Sequence, residues 1–213
     1  CIRDRQKAGV ACRVVPDLSL YLEAHYFGKE KSSVIGCIDC VNRFTALEID
    51  RLCRAIEGRT LSIHFPQPGL QGYLRFIRQG VAKSDFASPA TLANLVLMRH
   101  KIHSNSTEDT LRFLEQLSRL RLLVSGRFHA CTLALITDTP FVAMASNTKK
   151  IESFIKDVGL ESWRSEIELR PGDIHEAMER GWSGQERESI SEYLAHARQS
   201  TETLFRDLRA LLT

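Results

Sequence analysis

Apolar and polar positions along this chain follow two alternating periods. From Ser33 onward, short β-rich runs trade places with longer stretches whose apolar residues recur every three or four positions. That alternation is the pattern of βαβ units around a mainly parallel sheet. SVIGCI (33–38) reads as the first strand. Residues 45–57 follow as a helix with apolar positions 47, 49, 52, 53 and 56, and Gly58 is placed to end it. LSIHF (61–65) is a second strand, stopped by Pro66 and Pro68, and 70–79 suits a helix. SPATLANLVLMRH suits another, with Ser88 as cap and Pro89 in its first turn, and KIHSNS suits a connection. A helix is then expected from Thr107 to Leu120, a strand at 121–125, a helix from Arg127, a strand at 140–145, and a helix closed by Gly159. IELR (167–170) reads as a short strand and DIHEAMERGW as a short helix. From Gly184 nearly to the end, apolar positions 190, 194, 197, 204, 208, 211 and 212 mark one long amphipathic helix.

Composition narrows the class. Of 213 residues, 43% are hydrophobic and 26% charged, which is enough apolar material for a packed core. No apolar run reaches the roughly 20 residues that span a bilayer, and CIRDRQKAGV lacks the apolar centre of a signal peptide, so a cytoplasmic protein is expected. The net charge of +3 comes from basic residues interleaved with acidic ones, which argues against nucleic acid as a partner. Six cysteines without an export signal read as reduced thiols. Cys37-Ile-Asp-Cys40 is a lone CxxC. Structural zinc usually needs a second ligand pair, so two small residues at a strand end is the plainer reading and zinc the alternative. The opening residues read as the interior of something longer, and a fragment is expected.

The chemistry concentrates where strands turn into helices. In an open parallel sheet, ligands bind beyond the carboxyl ends of strands, where helix N-termini offer N–H groups and partial positive charge. In VSGRFHACTLAL (124–135), Arg127 and His129 stand at such a junction, and the next one carries Ser146, Asn147, Thr148 and Lys149. A guanidinium, an ammonium, hydroxyls and one imidazole suit an anionic ligand and a proton transfer. The same residues would also serve as ordinary helix-start side chains, with His129 merely half-buried and hydrogen-bonded. Asp39, Asn42 and Arg43 after the first strand would line an acceptor or simply cap a helix, and His64 after the second strand points toward the same cleft edge. His100, His103, His175 and His196 read as surface residues; Trp163 and Trp182 as core or lid.

The run LSRLRLLVSGRFHACTLALITDTPFVAMASNTKKIESFIKDVGL resembles the C-terminal signature of the polysaccharide pyruvyl transferase family: a strand, S-x-R-x-H, an apolar helix, G-x-P-x-V and a Lys before the next helix. Ser125, Arg127, His129, Pro140 and Lys149 fall on those positions. Near the start, RDR…GV…PDLSL is similar to a family segment in which an Arg-Asp pair opens a helix and a P-D-L strand follows, matched by Arg3, Asp4, Pro16 and Asp17. Asp138 stands where the family commonly has glycine. The Gly-rich opening of the family's N-terminal domain is missing, which would leave half of the active site outside this chain.

The resemblance implies a fold similar to the C-terminal half of a GT-B glycosyltransferase: a Rossmann-like parallel sheet flanked by helices, with a long last helix crossing back to brace the first domain. Residues 1–25 would then be the tail of the N-terminal domain, 26–183 the C-terminal domain and 184–213 the returning helix. The reaction implied moves a pyruvyl group from phosphoenolpyruvate to two hydroxyls of a sugar in a polysaccharide or its precursor, forming a cyclic ketal. His129 would be the acid/base, Arg127 a fork on phosphate or carboxylate, Lys149 a point charge on the same anion, and Ser125 and Ser146 hydrogen-bond donors. Asn147, His64 and Asn42 complete the expected substrate-binding set. The scheme needs neither metal nor cofactor. The acceptor would be lipid-linked or nucleotide-linked, and a lipid-linked one would bring the protein to the inner membrane face without a spanning segment. Two other readings use the same residues: a GT-B glycosyltransferase with a nucleotide-sugar donor, for which Glu152 is a marginal ribose ligand, and a non-catalytic domain that keeps the fold.

Overall fold

The protein's computed structural model describes residues 15–22, 30–40, 43–63, 105–107, 110–144, 149–166 and 168–212. Among them, six strands form one parallel sheet: β1 Ile35–Cys40, β2 Arg59–Ile63, β3 Asn105–Thr107, β4 Leu122–Gly126, β5 Phe141–Met144 and β6 Ser165–Glu166. Their order is β3-β2-β1-β4-β5-β6. Chain order runs outward from β1 to one edge and from β4 to the other, so the winding reverses between two hydrogen-bonded neighbours, β1 and β4. Parallel strands buried on both faces need apolar residues on both, and they have them. Ile38, Leu123, Phe141 and Ala143 face one core; Ile35, Cys37, Leu122, Val124, Val142 and Met144 face the other.

Six helices among the described residues cover those faces. Helix α1 (Arg43–Ala55) and α5 (Pro171–Arg180) pack on the second core through Ala46, Ile49, Leu52, Ile174 and Ala177. Helices α2 (Thr110–Ser118), α3 (Phe128–Ile136), α4 (Lys150–Val158) and α6 (Gly184–Leu212) pack on the first. Every residue of α3 from Ala130 to Ile136 is buried, which explains an apolar helix with no polar stripe. Gly159 ends α4 at φ 82°, a left-handed cap that a glycine adopts without steric cost. Asp138 also has positive φ, 48°, so this turn is one where glycine would be at home and Asp is among the better-tolerated substitutes.

Two expectations are corrected. Residues 105–107 are strand, not connection: they pair with β2 through Leu61↔Asn105, Ser62↔Ser106 and Ile63↔Thr107, and α2 opens at Thr110 rather than Thr107. A three-residue polar strand has no alternation to announce it; the open edge of β2 supplies its partners. The short strand expected at 167–170 lies at 165–166 instead, paired Ala143↔Ser165 and Met144↔Glu166. The helices expected at 70–79 and from Ser88 lie outside the described residues.

A buried ion pair ties α6 to the sheet. Arg164 (0% exposed) lies between the rings of Trp163 and Trp182, at 4.4 and 4.3 Å, and its fork meets Glu186 (1% exposed) with Nη2–Oε2 at 2.6 Å. Its Nη1 donates to the Phe141 carbonyl at 3.0 Å. The two tryptophans are thus packing around a cation, Trp182 within the core. Glu186 also accepts from the Ser183 amide at 3.0 Å, while Ser183 Oγ accepts from the Glu186 amide at 3.2 Å, a reciprocal cap at the start of α6.

Lys31 makes a comparable tie ahead of β1. Its Nζ donates to the Ser118 carbonyl (2.7 Å), the Thr137 carbonyl (3.2 Å) and Thr139 Oγ1 (3.1 Å), joining the ends of α2 and α3. Burial pulls its pKa down to about 8, against a smaller opposing pull from Asp138. The folded state therefore binds fewer protons than the unfolded chain between pH 8 and the ordinary lysine value, and stability should rise with pH across that window. Urea midpoints at pH 7.5 and pH 10 should differ more for the wild-type protein than for Lys31→Met; equal differences would sink the assignment.

Candidate active site

The winding reverses between β1 and β4, and open α/β sheets bind ligands beyond the carboxyl ends of their strands at such a reversal. Both strands are adapted there. The register of β1 against β4 shifts between Ile38 and Cys40, a bulge that turns Cys40 to the same core as Cys37, although strict alternation would put residues three apart on opposite faces. The CxxC thus faces one core, and Cys40 Sγ donates to the Gly126 carbonyl at 3.3 Å. A Cβ at position 126 would stand 2.5 Å from Cys40 Cβ, so β4 must end in glycine for the strands to close here.

From Gly126 the chain turns directly into α3. Ser125 is fully buried, and its Oγ accepts from the Arg127 amide at 3.0 Å, so the hydroxyl shapes the turn. Arg127 is the N-cap residue of α3 in extended conformation, half-buried, with no side-chain cap bond; its carbonyl accepts from the Ala130 amide at 3.1 Å. The imidazole of His129, in the first helical turn, is 73% exposed. Phe128 beside it packs edge-on against Phe154 of α4, ring centroids 5.4 Å apart, and Phe154 meets Tyr193 of α6 at 6.1 Å. This aromatic series pins the start of α3 to two neighbouring helices.

One partner of His129 was not legible in the sequence. Residues Leu18–Tyr21 form a 3-10 turn that packs on α3 and α6, capped by Asp17. Asp17 Oδ1 accepts from the Ser19 amide at 2.9 Å, and Oδ2 lies 3.5 Å from His129 Nε2. The Asp-x-Ser capping pattern was visible in the sequence; its proximity to His129 was not.

Lys149 is the N-cap residue of α4, exposed, at the carboxyl end of β5. Because β4 and β5 are parallel neighbours, Arg127, His129 and Lys149 follow strands that end on the same side of the sheet. Asn42, His64, Ser146 and Asn147 lie outside the described residues, as do His100 and His103; the side chains of Asp39 and Arg43 do too. His175 and His196 are exposed, as expected. Among the described residues, no group of three or more His, Cys, Asp or Glu is placed to hold a metal, and no helix is long and apolar enough to cross a membrane. The cysteines at 37, 40, 53 and 131 are free and buried.

No curated protein matches the chain. Among solved structures, the glycotransferase of kitacinnamycin is similar at 11% identity and a TM-score of 0.43, over 84% of this chain and 43% of that one, so the chain spans less than half of that protein's length. The family profile described as polysaccharide pyruvyl transferase matches residues 3–148, a span that takes in Asp17, Ser125, Arg127 and His129 and stops one residue short of Lys149. With more than half of its length matched, including the strand, turn and helix that carry Arg127 and His129, the chain belongs to the polysaccharide pyruvyl transferase family.

Proposed function

We propose that the protein transfers the pyruvyl group of phosphoenolpyruvate to two hydroxyls of a sugar, forming a cyclic ketal and releasing phosphate. The observation that carries this reading is the β4–α3 junction: a guanidinium at the helix start and an exposed imidazole in the first helical turn, after the strand at which the sheet's winding reverses. A donor with a phosphate and a carboxylate needs cationic and N–H donors at a helix N-terminus. It also needs one group able to give and take a proton near neutral pH.

The His129 imidazolium delivers its proton to the donor's methylene carbon, which becomes the methyl group, and positive character develops at the adjacent carbon. The first sugar hydroxyl attacks that carbon, and its proton returns to the imidazole. The carbon–oxygen bond to phosphate then breaks, the second hydroxyl closes the ketal, and its proton leaves with phosphate. Arg127 and Lys149 neutralise the donor's charges, and Ser125 keeps the turn that presents Arg127. In this reading Ser146 and Asn147 are assigned to donor binding, and Asn42 and His64 to acceptor binding. Phosphoenolpyruvate is made inside cells, so the reaction is cytoplasmic in this reading.

The test is phosphate release from phosphoenolpyruvate by the full-length protein with free, nucleotide-linked and lipid-linked sugars. Release that depends on acceptor, with a ketal-bearing product by mass, is the expected result. Release with none of them, together with protection of the fold by a nucleotide-sugar alone, would transfer the assignment to a glycosyltransferase.

A further inference from the structure

We infer that Asp17 is the positioning residue of His129, holding Nε2 so that Nδ1 is the nitrogen that exchanges the proton; this rests on the pyruvyl-transfer reading for the role of His129. The segment carrying Asp17 is fastened to the first turns of α3 independently of the carboxylate. Ser19 Oγ is 3.0 Å from Thr132 Oγ1, Thr132 Oγ1 donates to the His129 carbonyl at 2.9 Å, and Leu20 is buried in the core shared with α3 and α6. Asp17 itself is fixed through Oδ1 by the Ser19 amide, which leaves Oδ2 toward the ring. One oxygen caps a turn and the other faces the imidazole, so the carboxylate's direction is set before substrate arrives.

The separation of 3.5 Å suits an ion pair that shortens once the ring is protonated. A carboxylate on one imidazole nitrogen selects the tautomer with a proton there, leaves the other nitrogen's lone pair to act as base, and stabilises the imidazolium formed next. Asp17 is 26% exposed and His129 73%, so the pair is wet and contributes little to stability. Its effect belongs to the reaction.

Asparagine at position 17 is the informative substitution, because it caps the turn as well as aspartate does while removing the charge. Asp17→Asn should lower kcat about 10- to 100-fold, with KM for phosphoenolpyruvate nearly unchanged and the urea midpoint within error of wild type. Asp17→Glu should recover part of that loss. Nitrogen-15 NMR of the His129 ring, which needs no turnover, should show the neutral ring protonated on Nε2 in the wild-type protein and a mixed tautomer in Asp17→Asn. An identical tautomer and an identical kcat in both would overturn the inference. If the wild-type protein turns over no acceptor, the reading of the reaction fails by itself, and the NMR comparison still decides whether Asp17 sets the ring.

Discussion

Replacing Glu186 with glutamine should lower the unfolding free energy by about 3–5 kcal/mol, a large loss for a single polar substitution. Arg164 would remain in the core, between two indole rings, with its charge uncompensated. Glutamine keeps one acceptor oxygen in place of a carboxylate that receives two guanidinium bonds and the amides of Glu161 and Ser183. The second variant to make is Arg164→Met with Glu186→Gln. It removes the stranded charge, keeps a residue at position 186 that can complete the cap of α6, and leaves the Phe141 and Gly181 carbonyls without these donors. If the uncompensated charge dominates the loss, the double variant should be no less stable than Glu186→Gln alone in urea unfolding.

The same pair predicts an acid limb. Burial is the largest single influence and by itself would raise the carboxyl pKa of Glu186, but the hydrogen bonds and charge of Arg164, together with the amides of Ser183 and Glu161, outweigh it and hold the group below its ordinary range. The sign follows: the contribution is complete above the unfolded-state value and is lost as pH falls through the lower folded-state value. Wild-type protein should therefore lose stability between those values, and Glu186→Gln should lose less over the same interval. A loss of unfolding free energy under about 1 kcal/mol for Glu186→Gln at pH 7 would mean that water reaches the pair.

His129→Gln should have the largest effect on activity, a loss of about 10²- to 10⁴-fold in kcat, the usual contribution of a positioned acid/base. Stability should hardly move, since the ring is 73% exposed. If Arg127 binds the donor as proposed, Arg127→Ala should differ in kind, raising KM for phosphoenolpyruvate as well as lowering kcat, because a charged hydrogen bond of about 1.5–3 kcal/mol would be present before the transition state. The comparison needs initial rates over a range of donor concentration for both variants. A His129→Gln enzyme within about threefold of wild type would remove the imidazole from the proton transfer, whatever Arg127→Ala does.

Much of the fold was legible because its signals are local. Strand and helix periods alternate, Gly159 ends α4 where a left-handed residue is needed, and Arg127 and His129 stand where β4 becomes α3. The missed elements were those whose reason lies elsewhere in the chain. Strand β3 exists because β2 has an open edge, and β6 pairs at 165–166 because Arg164 just before it is anchored in the core. The bulge that turns Cys40 beside Cys37 is likewise a consequence of pairing with β4, and neither cysteine announces it.

By itself, then, the sequence determined most of the alternation of strands and helices among the described residues, the apolar faces that must be buried, and the motif that marks the family. Those depend on period, on capping residues and on short-range spacing, all properties of neighbours in the chain. Tertiary structure alone decided which strands adjoin at the reversal of winding, that Arg164 and Glu186 share one buried site, and that Asp17 faces His129. These are contacts between residues distant in sequence. They arise when helices and strands pack to bury both faces of the sheet, and no local preference of either partner specifies them.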